Sequence, residues 1–298
     1  MHEAIRKASV LIEALPYIRS FHDKIVVIKF GGSAMDAGGD LSNVLLSVMF
    51  MSQVGMRPVL VHGGGAMITQ AMRERGKEPV FVDGRRVTDQ QTLAIVEDVL
   101  INQINNNIVE AIRDLHGRAV GIHNRNHRYL HASKYTFVGD DGQQHDLGYV
   151  GKLVRIDVDG VRRVCSAGFV PVIAPLATDP SGQVLNVNAD AAAGTIGAQL
   201  DAEKIVFLSN VHGIMTRPGD PSSLASTLDE VQIRDLVEAG VITQGMLPKV
   251  AACLEALEGG VRKAHIIDGR MPHSLLLEIF TNAGVGTQIV KRSAQPAP

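Results

Sequence analysis

Tryptophan is absent from this chain, and phenylalanine and tyrosine bring the aromatic share to only 4% of its 298 residues. Its core must therefore be aliphatic, drawn from a hydrophobic fraction of 45%, which is ordinary for a globular protein. Cysteine is scarce: Cys165 and Cys253 stand far apart without metal-ligand spacing. They read as reduced thiols rather than a disulfide framework or a zinc site. Neither sign of charge predominates, with 29 Lys+Arg against 31 Asp+Glu. That balance gives no expectation of a nucleic-acid or membrane partner. No apolar run approaches the length of a membrane span. Glu3, Glu13 and Pro16 interrupt the N-terminal stretch, unlike the unbroken core of a secretory leader. A cytoplasmic chain is the expectation.

Glycine is plentiful, with 30 residues, and it clusters where apolar runs end. Residues 1–22 have an amphipathic helical pattern, with Ile5, Ala8, Leu11, Ile12, Leu15 and Ile18 along one face and a bend expected at Pro16. A β-branched run, Ile25 to Ile28, leads into Lys29-Phe30-Gly31-Gly32. A helix is expected from about Leu41 to Val54, then a second strand, Val59 to His62, ending in Gly63-Gly64-Gly65 and another helix. Strand, glycine turn and helix in repetition is the pattern of a parallel sheet with helices on its faces. Further buried runs occur at Ala119–His123, Val170–Ala174, Ile205–Ser209 and Ala264–Ile267. Between about 133 and 165, Asp141-Gly142 and Asp159-Gly160 suggest β-hairpins at the margin of that sheet. The tail from Ser293 to Pro298 is expected to be disordered.

In an open parallel sheet, ligands gather beyond the carboxyl ends of the strands. Gly31-Gly32 and Gly63-Gly64-Gly65 would expose backbone N–H groups there, and Gly65 would open a helix whose dipole attracts anions. Each is either a tight turn or half of an anion cradle, and two of them favour the cradle. Neither contains Gly-x-x-x-x-Gly-Lys-Ser/Thr, which rules out a P-loop. A dinucleotide fingerprint starting at Gly63 fails at Ile68, where a small residue is required.

Lys29 ends an apolar strand and points either to solvent or into the crevice. Lys249, before a predicted helix, reads alone as a surface lysine. Asn186, Asn188 and Asp190 alternate with apolar residues before a small-residue helix, so they share a face. Asp190 reads either as a simple N-cap or as a site residue that also caps. Arg86 stands near another helix start, either solvated or clamping a carboxylate.

Taken in order, Val27-Ile28-Lys29-Phe30-Gly31-Gly32, Val61-His62-Gly63-Gly64-Gly65 and Gly84-Arg85-Arg86-Val87-Thr88-Asp89 resemble the amino acid kinase superfamily. So do Leu185-Asn186-Val187-Asn188-Ala189-Asp190, Gly245-Met246-Leu247-Pro248-Lys249 and His265-Ile266-Ile267-Asp268-Gly269-Arg270. The likeness is strongest to the branch that phosphorylates N-acetyl-L-glutamate. It implies an α/β fold, a three-layer αβα sandwich in one continuous domain. Residues 23–180 would form the acceptor-binding part and 181–298 the part that binds ATP with its Mg²⁺.

By this resemblance Lys29, Lys249, Asp190 and Gly32 would be catalytic. Gly64, Gly65, Arg86, Asn186 and Asn188 would bind the acceptor. Lys29, Gly31, Gly32, Ser209, Asn210 and Lys249 would bind ATP. Mg²⁺ would arrive on ATP, since the sequence holds no dedicated carboxylate cage. The N-terminal helix resembles the strap that joins dimers into a hexamer in arginine-inhibited members. Lys204, His265, Glu278, Gly284 and Gly286 resemble their L-arginine site. Ser33, Ala66, Arg85 and Gln244 depart from the family pattern. Related acceptors such as acetylaminoadipate, glutamate or aspartate, and an idle arginine-binding regulator, stay open as alternatives.

Overall fold

The fold is seen in a computed structural model describing residues 2–31, 41–82, 84–138, 143–243, 245–281 and 284–292. Its framework begins with β1 (Ile25–Phe30) and β2 (Arg57–His62), which pair in parallel with Val27 opposite Val59 and Phe30 opposite His62. From the second residue onward both are fully buried, which is why they read as continuous apolar runs. They lie centrally in an eight-stranded sheet. Outward from β2 come β8 (Val170–Ile173) and β5 (Ala119–Ile122), and from β1 come β11 (Lys204–Ser209) and β13 (Lys263–Asp268). Beyond β13 lie β14 (Thr287–Val290) and β12 (Thr227–Asp229). Only the β13–β14 pairing is antiparallel.

Strand alternation sends side chains to two cores. Val26, Ile28, Phe30 and Leu60 pack with α2 (Leu41–Gln53), α3 (Gly65–Glu74), α4 (Gln90–Glu97), α5 (Asn106–Asp114) and α10 (Ser274–Phe280). Val27, Val59, Val61 and Phe207 pack with α6 (Val158–Ser166), α7 (Ala189–Gln199), α8 (Glu230–Glu238) and α9 (Leu247–Glu258). This is the expected αβα sandwich. Burial pushes the Cys165 thiol up to about 11 and raises that of Cys253 as well, so both are unreactive as well as unpaired.

Two details differ from the sequence-based expectation. Asp159-Gly160 lies within α6 rather than in a hairpin, because the Asp157 carboxylate accepts from the Gly160 N–H at 2.9 Å and caps a helix there. The second concerns the hairpin of β6 (Leu130–Val138) and β7 (Gln144–Ile156), whose turn residues Asp141 and Gly142 are outside the described residues. It is not a margin of the main sheet: with β9 (Leu176–Thr178) and β10 (Val184–Val187) it closes a separate four-stranded barrel. The tail from Ser293 is also outside the described residues.

Helix α1 (His2–Phe21) continues through Pro16 and sets Tyr17 edge-on to Phe280, 6.3 Å between ring centres. Ile5, Leu11 and Ile12 are 57%, 66% and 69% exposed. Among the described residues no helix is long and apolar enough to cross a membrane.

Helices α7 and α9 approach closely through small residues. A Cβ on Gly194 would lie 2.8 Å from the Ala252 carbonyl oxygen. Gly194→Val should therefore push them apart and lower stability by about 1–3 kcal/mol, read as a fall in Tm by calorimetry.

Candidate active site

Lys29, next to last in β1, is only 7% exposed, so its ammonium has entered the crevice at the carboxyl ends of the strands. Its Nζ lies 2.8 Å from Asp190 Oδ1, while Lys249 Nζ lies 3.4 Å from Oδ2 of the same carboxylate. Asp190 is not the N-cap of α7. Asn188 caps that helix, its Oδ1 accepting from the N–H groups of Asp190 at 2.9 Å and Ala191 at 3.1 Å. Because Asn188 takes the capping duty, the Asp190 carboxylate is free to face the lysines. Burial works against that charge, yet the two ammonium groups outweigh it and hold its pKa below the ordinary 3.8. Lys249 sits in the first turn of α9, where a cation opposes the helix dipole, so helix stability does not explain it.

The glycine turns meet beside this triad. A Cβ on Gly31 would come within 3.0 Å of Gly63 Cα, and one on Gly64 within 2.7 Å of both Leu100 and Ile104. Gly65 opens α3 with free space where a side chain would stand. Gly32, Ser33 and Gln244 are outside the described residues. The hairpin of β3 (Phe81–Val82) and β4 (Arg85–Arg86) brings in Arg86. Its Nη2 donates to the Gly65 carbonyl at 3.0 Å and to Thr69 Oγ1 at 2.9 Å, and its guanidinium lies 4.7 Å from the Phe81 ring centre. No carboxylate among the described residues is within ion-pairing distance of this buried cation. Asn186 donates to Thr88 Oγ1 at 3.2 Å.

The triad, the glycine turns and Arg86 meet at one cavity of about 370 Å³, large enough for a small metabolite and a phosphoryl group. Lys29, Gly31, Gly64, Gly65, Arg86 and Asn186 line it, as do Asn188, Asp190, Ser209, Asn210 and Lys249. Ala66 and Arg85 border it too, with Arg85 4.1 Å above the Tyr135 ring. Among the described residues no group of three or more His, Cys, Asp or Glu side chains could hold a metal ion.

Two residues under this cavity escaped the sequence reading. His62 is fully buried at the end of β2, and its partner Asn105 ends a π-helix at Asp98–Asn105. Burial pushes the His62 ring down to about 4, so it is neutral at ordinary pH. A histidine closing an apolar strand was the available signal. Nothing in Asp98–Asn105 announces a π-helix.

A second cavity, of about 650 Å³, is lined by Lys204, His265, Glu278, Gly284 and Gly286 together with Tyr17, Phe21 and Lys263. His265 Nδ1 is 2.6 Å from Glu278 Oε1, and the Val285 N–H donates to Oε2 at 2.9 Å. Burial lowers the His265 pKa. At Glu278 burial pushes the pKa up, but the hydrogen bond and charge of that ring, the Val285 N–H and Lys204 together outweigh it and hold the carboxyl below its ordinary value. Lys204 Nζ lies 5.1 Å from the Phe21 ring centre, which joins this cavity to α1.

The amino acid kinase family model matches residues 24–268. The chain belongs to the amino acid kinase family. Acetylglutamate kinase from Moorella thermoacetica is 46% identical over 289 residues, covering 96% of this chain and 98% of its own. The enzyme of the same name from Pelotomaculum thermopropionicum is 47% identical with the same coverage. Among solved structures, an N-acetylglutamate synthase from Neisseria gonorrhoeae complexed with coenzyme A and N-acetyl-glutamate superposes with a TM-score of 0.84 at 28% identity. The match covers 96% of this chain but only 64% of the synthase. A Giardia carbamate kinase, at 14% identity and a TM-score of 0.64, shares the fold alone.

In this amino acid kinase, Asp190→Asn would leave the buried Lys29 ammonium and the partly buried Lys249 ammonium without their counter-charge. It should lower kcat on the order of 10²-fold in steady-state kinetics. It should also lower Tm at pH 7. A carboxylate whose pKa is depressed on folding stabilises above its ordinary 3.8 and loses that contribution as pH falls through the folded value. The Tm gap between variant and parent should accordingly narrow below about that pH.

Proposed function

We propose that this chain transfers the γ-phosphoryl group of ATP to the side-chain carboxylate of N-acetyl-L-glutamate, forming an acyl phosphate in arginine biosynthesis. The observation that carries this reading is the convergence of Lys29 and Lys249 on Asp190, at the wall of a cavity that also holds two glycine turns and an Arg86 with no carboxylate partner among the described residues.

The acceptor carboxylate is already ionised at neutral pH, so no general base is required. The obstacle is electrostatic: an anionic nucleophile must approach an anionic triphosphate. An ammonium about 4 Å from an anionic oxygen is worth roughly 4 kcal/mol at an effective dielectric of about 20. Lys29 and Lys249 would supply this from opposite sides, while Asp190 holds them at fixed separation before substrate arrives. The cost of ordering them is met during folding, so little reorganisation is left for the reaction. Gly32 and Gly64 would offer N–H groups to the moving phosphoryl, with no Cβ to hold it away. Arg86, Asn186 and Asn188 would receive the acceptor, Arg86 facing its free carboxylate. Ser209, the last residue of β11, and Asn210 after it would border the nucleotide, and Mg²⁺ would neutralise part of its phosphate charge. Residues before about 180 would thus handle most of the acceptor, with Asn186 and Asn188 added, and those after it most of the nucleotide, with Lys29 and the glycine turns at the phosphoryl group between them.

The name shared by relatives of 46% and 47% identity supports N-acetyl-L-glutamate over shorter or longer dicarboxylates. Hydroxylamine trapping of the acyl phosphate, with ATP and Mg²⁺, should give turnover with N-acetyl-L-glutamate well above that with glutamate, aspartate or acetylaminoadipate. Lys29→Ala and Lys249→Ala should each reduce kcat on the order of 10²–10³-fold. Arg86→Ala should mainly raise the acceptor KM, because its contact is the same in ground and transition states. Near-normal kcat in both lysine variants would overturn the reading.

The second cavity supports feedback control by L-arginine. An ionised Glu278 carboxylate suits a guanidinium or ammonium, Lys204 and Lys263 suit a carboxylate, and Gly284 leaves room for the Glu278 carboxylate, since a Cβ there would lie 2.9 Å from its Oε1. Through Lys204 and Phe21 the same cavity touches α1, whose exposed apolar residues would join dimers into a hexamer. Removal of residues 2–22 should leave a dimer by light scattering, with arginine inhibition weakened. Glu278→Gln should weaken inhibition about tenfold or more without lowering uninhibited kcat.

A further inference from the structure

His62 and Asn105 form a buried polar network directly beneath the glycine turn, and its donors and acceptors can be assigned without ambiguity. Asn105 Nδ2 donates to the Val172 carbonyl at 2.9 Å, so the amide nitrogen faces the sheet. The same nitrogen lies 3.0 Å from His62 Nε2. An amide NH₂ can only donate, so Nε2 accepts. The ring proton is then on Nδ1, which lies 3.0 Å from the Gly63 carbonyl and donates to it.

That carbonyl belongs to the same planar peptide unit as the Gly64 N–H, and in a trans peptide the two point in opposite directions. Drawing the Gly63 oxygen into the core therefore turns the Gly64 N–H away from it, toward the cavity that Gly64 lines. No backbone carbonyl among the described residues takes up this N–H. With glycine on both sides, the peptide unit would otherwise rotate at little cost.

The π-helix at Asp98–Asn105 touches the turn a second time. Its Leu100 and Ile104 occupy the space where a Cβ on Gly64 would fall. π-Helical segments set within α-helices recur at functional sites, and this one runs for eight residues. Asn105 is also expensive to keep: its Oδ1 has no hydrogen-bond partner and sits where a Cβ on Gly121 would come within 2.1 Å. An unpaired buried carbonyl costs about 1–3 kcal/mol, so an apolar side chain would serve packing better.

We propose that His62 is a positioning residue for phosphoryl transfer: held by Asn105 as its Nδ1–H tautomer, it locks the Gly63–Gly64 peptide with the Gly64 N–H facing the transferred group. This rests on the kinase reading above. Histidine ¹⁵N NMR on the full-length protein tests the tautomer without any need for activity. Nδ1 protonated and Nε2 bare near neutral pH is the expected result, and an Nε2-protonated ring overturns the proposal whether or not the reading of the reaction survives.

For the positioning role, His62→Leu and Asn105→Leu should each lower kcat on the order of 10–10²-fold while both KM values stay within about threefold. His62→Asn, whose amide NH₂ reaches roughly the Nδ1 position, should recover most of the loss. Affinity for ADP with Mg²⁺ and aluminium fluoride in the presence of acceptor should fall with kcat, while affinity for ADP alone holds. A purely structural role would lower the folded fraction and leave these ratios unchanged. Unchanged ratios in the folded variants, or full kcat in His62→Leu, would overturn the positioning role. Absence of acyl phosphate from the parent protein would instead sink the reading of the reaction.

Discussion

Two cations held by one buried anion is the constraint on which the rest of the site depends. Lys29 and Lys249 come from widely separated stretches of chain, and in a crevice they would repel each other without Asp190 between them. The carboxylate in turn could not stay ionised at 7% exposure without both of them. Their backbones are therefore specified together: β1 must deliver Lys29 at its penultimate residue, α7 must begin at Asn188, and α9 must begin just before Lys249. A buried arrangement of this kind is a weak source of stability. Its value lies in having the charges in place before substrate arrives.

Around this centre the fold separates rigid from adaptable parts. The central strands β1, β2 and β11 are buried on both faces and hold Lys29, the glycine turns and Ser209 at one level. The side of the cavity proposed for the acceptor is bordered by a two-residue-per-strand hairpin, β3–β4, held to α3 by Arg86 through Gly65 and Thr69. The cation that would meet the acceptor thus anchors its own loop. On the proposed function, loss of Arg86 would have both a binding and a conformational component.

Much of this was legible in the sequence because parallel strands buried on both faces leave plain apolar runs, and their ends are marked by glycine. Lys29, Asp190, Lys249, Arg86 and Asn186 each carried an ambiguous local signal, and their order along the chain turned that into a recognisable family pattern. The errors were local. Asp159-Gly160 looked like a turn because the dipeptide is turn-forming, but a capping Asp157 made it the start of a helix. Asp190 looked like a cap because a small-residue helix follows it, but Asn188, two residues earlier, can do the same task, and only the geometry of the first turn chose between them.

Composition and periodicity determined the layer architecture, the aliphatic core and the polar residues that would face the crevice, because burial and strand alternation act on each residue type in a local and repeated way. Tertiary structure alone decided which polar groups pair. The meeting of Asn105 with His62, the closure of β6, β7, β9 and β10 into a barrel, and the seating of Lys204 over Phe21 all join segments distant in sequence. Such pairings follow from directional hydrogen bonds and close packing, and neither leaves a periodic mark on the chain.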